Sequence, residues 1–223
     1  MLSERASRTR TDSRCESIKP AVAALTALTA FMLVAALDEP TPLDRALYRL
    51  AAQLADRRLE LAQRPLELLG LPGAYIPVAH LLARALRRNG KRGGNEVIVA
   101  AWAGWLALRA MRLMIHRPRP PRPPGRGPKR ESTFPSGHST GLTALSIVLA
   151  EVLAREGLLT RRQARTLGIG VPLAIGANRV YVREHWLTDV LGGWTLGASV
   201  AAGALAVVRR GPRRQTRAAS RST

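Results

Sequence analysis

The chain has 223 residues, enough for one domain, and carries 35 lysines and arginines against 15 aspartates and glutamates, a net charge of +20. Such a balance is typical of proteins that meet nucleic acid, an anionic membrane surface or an anionic substrate. Aromatic residues make up only 4% of the chain and the basic residues cluster in short patches, which argues against a base-stacking platform and a nucleic-acid partner. Cys15 is the single cysteine, so an intrachain disulfide and a cysteine metal cluster are excluded.

The N-terminal third predicts a tail followed by membrane-associated helices. Residues 1–19 are polar and basic, as in a disordered cytoplasmic tail. Residues 21–37 are apolar and uncharged; they predict a retained transmembrane helix rather than a signal peptide, because the run is long and no clear small-residue cleavage site follows. In residues 38–64, charges interrupt Leu and Ala at helical spacing, which predicts an amphipathic helix at the membrane surface. Residues 65–82 predict a second span that contains Gly and Pro.

The rest of the chain predicts more spans and one long loop. Four further apolar runs are expected to cross the membrane, at residues 96–115, 136–153, 167–182 and 187–208. Residues 116–134 form a loop rich in Pro, Arg and Gly, whose tip at 121–130 has no role that the sequence identifies. Gly192, Gly193 and Gly197 are expected to be packing points in the last span.

Together these elements predict an all-α fold, an integral membrane bundle of six transmembrane helices with an interfacial amphipathic helix after the first. The membrane domain covers residues 20–208, and residues 209–223 predict a second disordered basic tail. The basic patches fall on one side of the membrane if there are six spans, which makes that side cytoplasmic and places both termini there. We expect a multi-pass protein of the cell membrane.

The stretch from Asn178 to Asp189 carries the chemistry that is easiest to interpret. His185 and Asp189 are four residues apart and lie on one face if the chain is helical there. A carboxylate in that position can accept an imidazole N–H and leave the other ring nitrogen free. Arg179 adds a charged fork suited to phosphate. On these residues alone, an ion pair at a helix start at the membrane edge remains an equal alternative.

Two earlier blocks accompany this stretch, and the three resemble the signature of the type 2 phosphatidic acid phosphatase superfamily. That signature reads Lys-x6-Arg-Pro, then Pro-Ser-Gly-His, then Ser-Arg-x5-His-x3-Asp. The corresponding positions here are Arg112, Arg119, Pro120, Pro135, Ser136, Gly137, His138, Asn178, Arg179, His185 and Asp189. By the topology above, the blocks lie at helix ends on the extracytoplasmic side.

The resemblance implies a role for each of these residues. His185 would be the nucleophile that forms a phosphohistidine, Asp189 would orient it, and His138 would protonate the leaving oxygen and then activate water. The phosphate-binding residues that the resemblance implies are Arg112, Arg119, Ser136, Gly137 and Arg179. No cofactor is implied, and no metal is expected because three arginines would repel a cation.

The sequence departs from the family pattern at two positions. Arg112 replaces the family's lysine and exchanges a compact ammonium for a planar fork. Asn178 replaces the family's serine and changes the donor pattern of a short polar side chain. Glu184 is an added acid beside His185, and we expect it to pair with Arg183 and to face away from the site.

The expected function is that of a membrane lipid phosphatase acting on a polyprenyl diphosphate, phosphatidylglycerol phosphate or phosphatidate. A lipid phosphotransferase would use the same residues. Vanadate-dependent haloperoxidases share the three blocks but are soluble, which six apolar spans argue against. A non-enzymatic basic protein that binds anionic lipid or nucleic acid through its tails is a further alternative.

Overall fold

The computed structural model describes residues 39–122 and 132–209, together with positions 27, 28 and 30. The predicted basic tails, nearly all of the first predicted span and residues 123–131 lie outside the described residues, so only positions 121 and 122 of the loop tip are described.

The described residues form helices with no strand among them, which confirms the all-α prediction. In chain order the helices are α1 Pro42–Gln53, α2 Arg57–Ala62, α3 Arg64–Leu69, α4 Pro72–Arg88, α5 Gly94–Met114, α6 Gly137–Arg155, α7 Arg161–Tyr181 and α8 Leu187–Arg209. Helices α5, α6 and α8 match the predicted spans to within two residues, and α7 begins six residues before the predicted start at 167. Of the described helices, α5 and α6 are long and apolar enough to cross a membrane, so the count of six spans stays a prediction.

The segment predicted as one amphipathic helix is divided into two by its caps. At the start of α1, the side chain of Thr41 accepts the backbone N–H of Asp44, and the side chain of Asp44 accepts the backbone N–H of Thr41. Asp56 then caps α2 by accepting the backbone N–H groups of Arg58 and Leu59. These polar caps end one helix and begin another where the pattern of apolar residues continues.

The second predicted span, 65–82, is also interrupted. It contains α3, a break at Gly70 and Leu71, and the first part of α4. Pro72 is the first residue of α4, where its missing N–H costs no hydrogen bond, and it holds Leu71 in an extended conformation. The break separates a short surface helix from the bundle and proves important for the site.

Helices α4, α5, α6 and α8 share one core, and α6 packs against α5, α7 and α8. The buried residues of this core are one tyrosine and otherwise small or branched side chains: Tyr75, Ala79, Leu86, Val97, Ala100, Ala101, Leu145, Val148, Val152, Ala201 and Ala204. Close approach of α6 and α8 depends on glycine, because a Cβ on Gly193 or Gly197 would lie 2.8 Å or 2.6 Å from a backbone oxygen of α6. The ends of α5 and α7 thereby meet the beginnings of α6 and α8, where all three sequence blocks lie.

Candidate active site

A cavity of about 510 Å³ opens where these helix ends meet. Six of the eight residues that the resemblance implies line it: Arg112, Arg119, Gly137, His138, Arg179 and His185. The other two, Ser136 and Asp189, are fully buried and lie behind the cavity wall. The structure therefore brings together side chains from blocks that are up to 73 positions apart in the sequence.

His185 is placed by the way α7 ends. Arg183 has a left-handed backbone with φ 57°, and its N–H bonds to the carbonyl of Val180. The N–H groups of Glu184 and His185 both bond to the carbonyl of Arg179. This is a Schellman ending, in which one left-handed residue satisfies the last carbonyls of a helix and turns the chain sharply. It fixes His185 close to the helix end that carries Arg179.

Asp189 lies directly behind His185 and accepts several hydrogen bonds. Its Oδ2 accepts the backbone N–H of Trp186 at 2.8 Å and the hydroxyl of Thr133 at 2.7 Å. The Nδ1 of His185 lies 3.5 Å from the same oxygen but only 3.0 Å from the hydroxyl oxygen of Thr133. The four-residue spacing predicted the His185–Asp189 pair, whereas no pattern in the sequence indicated Thr133.

A buried arginine that the sequence analysis missed holds the other side of Asp189. Arg117 donates from Nη1 to Oδ1 of Asp189 at 2.8 Å and to the hydroxyl of Thr188 at 2.6 Å. Its Nη2 donates to Asp44 of α1 at 3.1 Å. Asp44 in turn accepts the backbone N–H and the hydroxyl of Thr188. The surface helix α1 is thus tied by buried charges to the carboxylate behind His185.

His138 faces the cavity from the first turn of α6 and is held by the α3 segment. Its Nε2 lies 2.8 Å from the backbone carbonyl oxygen of Glu67, so Nε2–H is the donor. The imidazole also packs over Gly70, where a Cβ would lie 2.0 Å from Cδ2 of His138. Helix α3 therefore supplies the acceptor, and Gly70 in the break after it leaves the space for this ring.

Three of the four arginines that line the cavity are anchored by main-chain and side-chain oxygens. Arg112 donates to the carbonyl of Pro135 at 3.4 Å, and Arg119 donates to the carbonyl of Glu184 at 3.1 Å. Arg179 lies 3.4 Å from a carboxylate oxygen of Glu67. Each guanidinium is therefore held in a defined direction before any anion binds.

The two departures from the family pattern have different structural consequences. Asn178 accepts hydrogen bonds from Nε and Nη2 of Arg179 and donates to Gln63 of the α2–α3 connection. It therefore orients the arginine beside it and links that arginine to the α2–α3 connection. Arg112 keeps a cation at the lysine position and lines the cavity.

The expectation that Glu184 faces away from the site is wrong. Glu184 is buried and lines the cavity. Its carboxylate forms ion pairs with Arg122 at 2.6 Å and with Arg119 at 3.8 Å. The Schellman turn explains the difference, because it directs Glu184 towards the loop that carries the two arginines. Arg122 belongs to the loop tip for which the sequence predicted no role.

Ser136 acts as the N-cap of α6. Its hydroxyl accepts the hydroxyl of Ser139 at 3.0 Å and the backbone N–H of Ser139 at 3.5 Å, and its side chain does not line the cavity. Gly137, the first residue of α6, does line the cavity and presents the positive end of the helix dipole to it.

Burial and charge shift the pKa values of two groups in the loops and the surface helix around the site. Burial lowers the pKa of His185, and the nearby charges of Arg119 and Arg112 lower it further, although Asp189 acts in the opposite direction. Burial tends to raise the pKa of Asp44, but hydrogen bonds from Thr188 and Thr41 outweigh it, so the pKa of that carboxyl lies below its ordinary value. His185 is therefore neutral and Asp44 charged at pH 7. Among the described residues, no group of three or more His, Cys, Asp or Glu side chains is placed to hold a metal ion.

The fold is that of transmembrane phosphatases of known structure. The chain is similar to the crystal structure of a transmembrane PAP2-type phosphatidylglycerolphosphate phosphatase from Bacillus subtilis, with a TM-score of 0.73, 21% identity, and coverage of 86% of this chain and 98% of that one. It is also similar to LpxE from Aquifex aeolicus, with a TM-score of 0.61, 18% identity, and coverage of 76% and 98%.

The sequence identifies the family directly. Residues 96–213 match the model of the PAP2 superfamily, and the chain belongs to that superfamily. Over 68 residues it is 35% identical to phosphatidylglycerophosphatase B of Bacillus subtilis (strain 168), a match that covers 29% of this chain and 34% of the relative. The matched region thus spans about a third of the length of that curated relative.

Proposed function

We propose that this protein is an integral membrane lipid phosphatase that hydrolyses a lipid phosphate or diphosphate through a phosphohistidine intermediate. The observation that supports this most strongly is that His138 and His185 line one cavity together with three anchored arginines. Phosphoryl transfer needs positive charge around the equatorial oxygens, an in-line nucleophile, and an acid for the leaving oxygen. Side chains able to take these three roles line the cavity.

In the first step, the unprotonated ring nitrogen of His185 attacks phosphorus and forms an N–P bond. The bond from phosphorus to the lipid oxygen breaks, and protonated His138 gives its proton to that oxygen. The guanidinium groups of Arg112, Arg119 and Arg179 stabilise the charge that spreads over the equatorial oxygens. Asp189 stabilises the imidazolium character that develops on His185.

In the second step, His138 takes a proton from water as the water oxygen attacks phosphorus. The N–P bond breaks, inorganic phosphate leaves, and His185 is neutral again. The low pKa of His185 suits both steps, because the ring must be unprotonated to attack and must leave readily once phosphorylated.

The lining of the cavity is suited to a lipid. Helix α5 presents Trp105, Leu108, Arg109 and Arg112 to it in order along the chain. With a rise of about 1.5 Å per residue, Arg109 lies roughly 4.5 Å from Arg112 towards the N-terminal end of α5. The apolar side chains of Leu108 and Trp105 lie further in the same direction. A phosphate at Arg112 would thus have its apolar tail beside Trp105 and Leu108. The substrates that fit this arrangement are phosphatidate, phosphatidylglycerol phosphate and polyprenyl diphosphate.

The placement in the cell is part of the same proposal. The protein would be a multi-pass protein of the cell membrane with both termini in the cytoplasm, as the distribution of basic patches indicates. The cavity would then open on the extracytoplasmic face, within reach of lipid headgroups of that leaflet.

Phosphate release from these three lipids in detergent, without an added acceptor, tests the proposal and separates hydrolysis from transfer to another lipid. The wild-type protein should release phosphate from at least one of them, and His185→Ala should release none. His116→Ala is a matched control, because His116 is exposed and does not line the cavity. Equal turnover by wild type and His185→Ala would refute the assignment.

A further inference from the structure

The hydroxyl of Thr133 lies between His185 and Asp189. Its Oγ1 is 3.0 Å from Nδ1 of His185 and 2.7 Å from Oδ2 of Asp189, and Thr133 is fully buried. The direct distance from Nδ1 to Oδ2 is longer, at 3.5 Å. The nearer partner of Nδ1 is therefore the threonine hydroxyl, which itself bonds to the carboxylate.

The donors along this path can be assigned by counting protons. A hydroxyl carries one proton, and Asp189 is a carboxylate that can only accept, so Thr133 donates to Asp189. The same hydroxyl oxygen must then accept from His185, which places the proton of the neutral imidazole on Nδ1. Nε2 is left as the unprotonated nitrogen of a ring that lines the cavity.

The surroundings of Asp189 leave little freedom for another arrangement. Its Oδ1 accepts from Arg117, and its Oδ2 already accepts the backbone N–H of Trp186. Thr133 is fixed in turn, because its own N–H bonds to the carbonyl of Arg117 at 3.0 Å. Arg117 thus holds both the carboxylate and the backbone of the residue that bridges to it.

We propose that Thr133 is a positioning residue that accepts the Nδ1–H of His185 and relays this hydrogen bond to Asp189. The relay selects the tautomer in which Nε2 is free to attack phosphorus. This inference rests on the proposed function for its kinetic consequence, but the tautomer and its dependence on Thr133 belong to the resting protein.

The test compares Thr133→Val, which replaces the hydroxyl by a methyl group of similar size, with Thr133→Ser, which keeps the hydroxyl. Loss of the hydrogen-bond partner of a metal-ligating histidine typically costs about 10- to 100-fold in activity. We expect a loss of the same order in kcat for Thr133→Val, while KM stays within about twofold. Thr133→Ser should restore most of that loss. The acid limb of the pH profile should also move in Thr133→Val and return in Thr133→Ser.

Thr143→Val is the matched control. Thr143 is buried in α6, and its hydroxyl has no hydrogen-bond partner among the described residues, so the same substitution there should leave kcat and the pH profile unchanged. If Thr133→Val does not fold, Thr133→Ala is measured in its place by the same readouts.

Histidine ¹⁵N chemical shifts provide a readout that does not depend on turnover. The chain has 4 histidines, and the signals of His185 can be assigned by their loss in His185→Gln. At pH 8 the wild type should show a protonated Nδ1 and an unprotonated Nε2, and Thr133→Val should show a mixture of tautomers. Unchanged tautomer and kcat in the folded valine or alanine variant, or a serine variant as impaired as valine, would overturn the relay. A wild type that releases no phosphate from any lipid would instead refute the proposed function and leave the tautomer measurement to decide the relay.

Discussion

Arg117 and Asp189 form an ion pair of 2.8 Å in which neither side chain is more than 1% exposed. The second carboxylate on Arg117 is Asp44, which is equally buried. Two carboxylates and one guanidinium thus share a site from which water is excluded. Because Asp189 lies behind His185, the charge balance of this cluster bears on both stability and catalysis.

Replacing Arg117 by Met should destabilise the protein strongly. Breaking a buried ion pair by removing one partner typically costs about 3–5 kcal/mol, because the remaining charge is left uncompensated. Arg161→Met is the control, since the Arg161–Glu151 pair is largely exposed and such pairs contribute about 0–1 kcal/mol. Thermal unfolding in detergent should show a large fall in Tm for the first variant and almost none for the second. Similar Tm values for the two would contradict the assigned role of Arg117.

Gly70→Ala should impair catalysis, because the new methyl group would lie 2.0 Å from Cδ2 of His138 and would displace the ring. Since proton transfer by a positioned side chain contributes about 10²–10⁴-fold, we expect kcat to fall by at least about tenfold. Gly73→Ala offers a close comparison, as nothing lies within 4 Å of its Cβ position and Ala favours the α4 helix. Steady-state kinetics of the two variants would check this, and equal kcat values would show that His138 does not need its observed place.

The contrast between what the sequence predicted and what it missed has a physical basis. The bundle helices α5 to α8 follow from long apolar runs, and the pair of His185 and Asp189 from their four-residue spacing, although His185 lies in the turn just before α8. Thr133 and Arg117 lie in a loop without periodicity, and their roles depend on contacts with residues more than 50 positions away. No local pattern reports such contacts.

Contacts between distant residues also explain why the helix boundaries and the role of Asp44 near the N-terminus differ from the prediction. The apolar pattern of residues 65–82 continues across Gly70 and Leu71, so hydropathy alone predicts one continuous helix where the structure has α3 and α4. The break arises from Pro72, and from the bonds of α3 to His138 and Arg179. Asp44 resembled an ordinary surface acid of an amphipathic helix because its partner, Arg117, is 73 positions away.

The acid limb of kcat/KM should lie below pH 6.5. Burial and the charges of Arg119 and Arg112 lower the pKa of His185 from its ordinary value of 6.5, so the ring stays unprotonated to a lower pH. Arg119→Gln removes one of these charges, which should raise that pKa and move the acid limb to higher pH. Rate profiles from pH 4 to 9 would measure both, and a limb that moves to lower pH in Arg119→Gln would contradict the argument.

The free energy of unfolding should also decrease at acidic pH because of His185. Because the folded-state pKa of His185 is lowered, the unfolded chain binds this proton more readily. The contribution of His185 to stability is therefore fully present above pH 6.5 and is lost as the pH falls from there through the folded-state value. Comparing the pH dependence of Tm in the wild type and His185→Gln would isolate this contribution.

Arg109→Gln should lower kcat/KM for a lipid diphosphate much more than for a lipid with one phosphate. Arg109 lines the cavity one turn below Arg112, on the side where a second phosphate would link the reacting group to the lipid. Because a hydrogen bond to a charged group contributes about 1.5–3 kcal/mol, kcat/KM for the diphosphate should fall by roughly 10- to 100-fold. The value for phosphatidate should change little. Equal losses for both lipids would show that Arg109 does not distinguish them.

The central claim is that phosphorus becomes bonded to His185, and trapping the phosphorylated protein tests it most directly. Lipid labelled with ³²P is mixed with wild type, His138→Gln and His185→Gln and quenched within milliseconds to minutes. We expect acid-labile, alkali-stable label on His185 in the wild type, either more label or slower loss of it in His138→Gln, and none in His185→Gln. Label of the same amount and stability in His185→Gln would contradict the account.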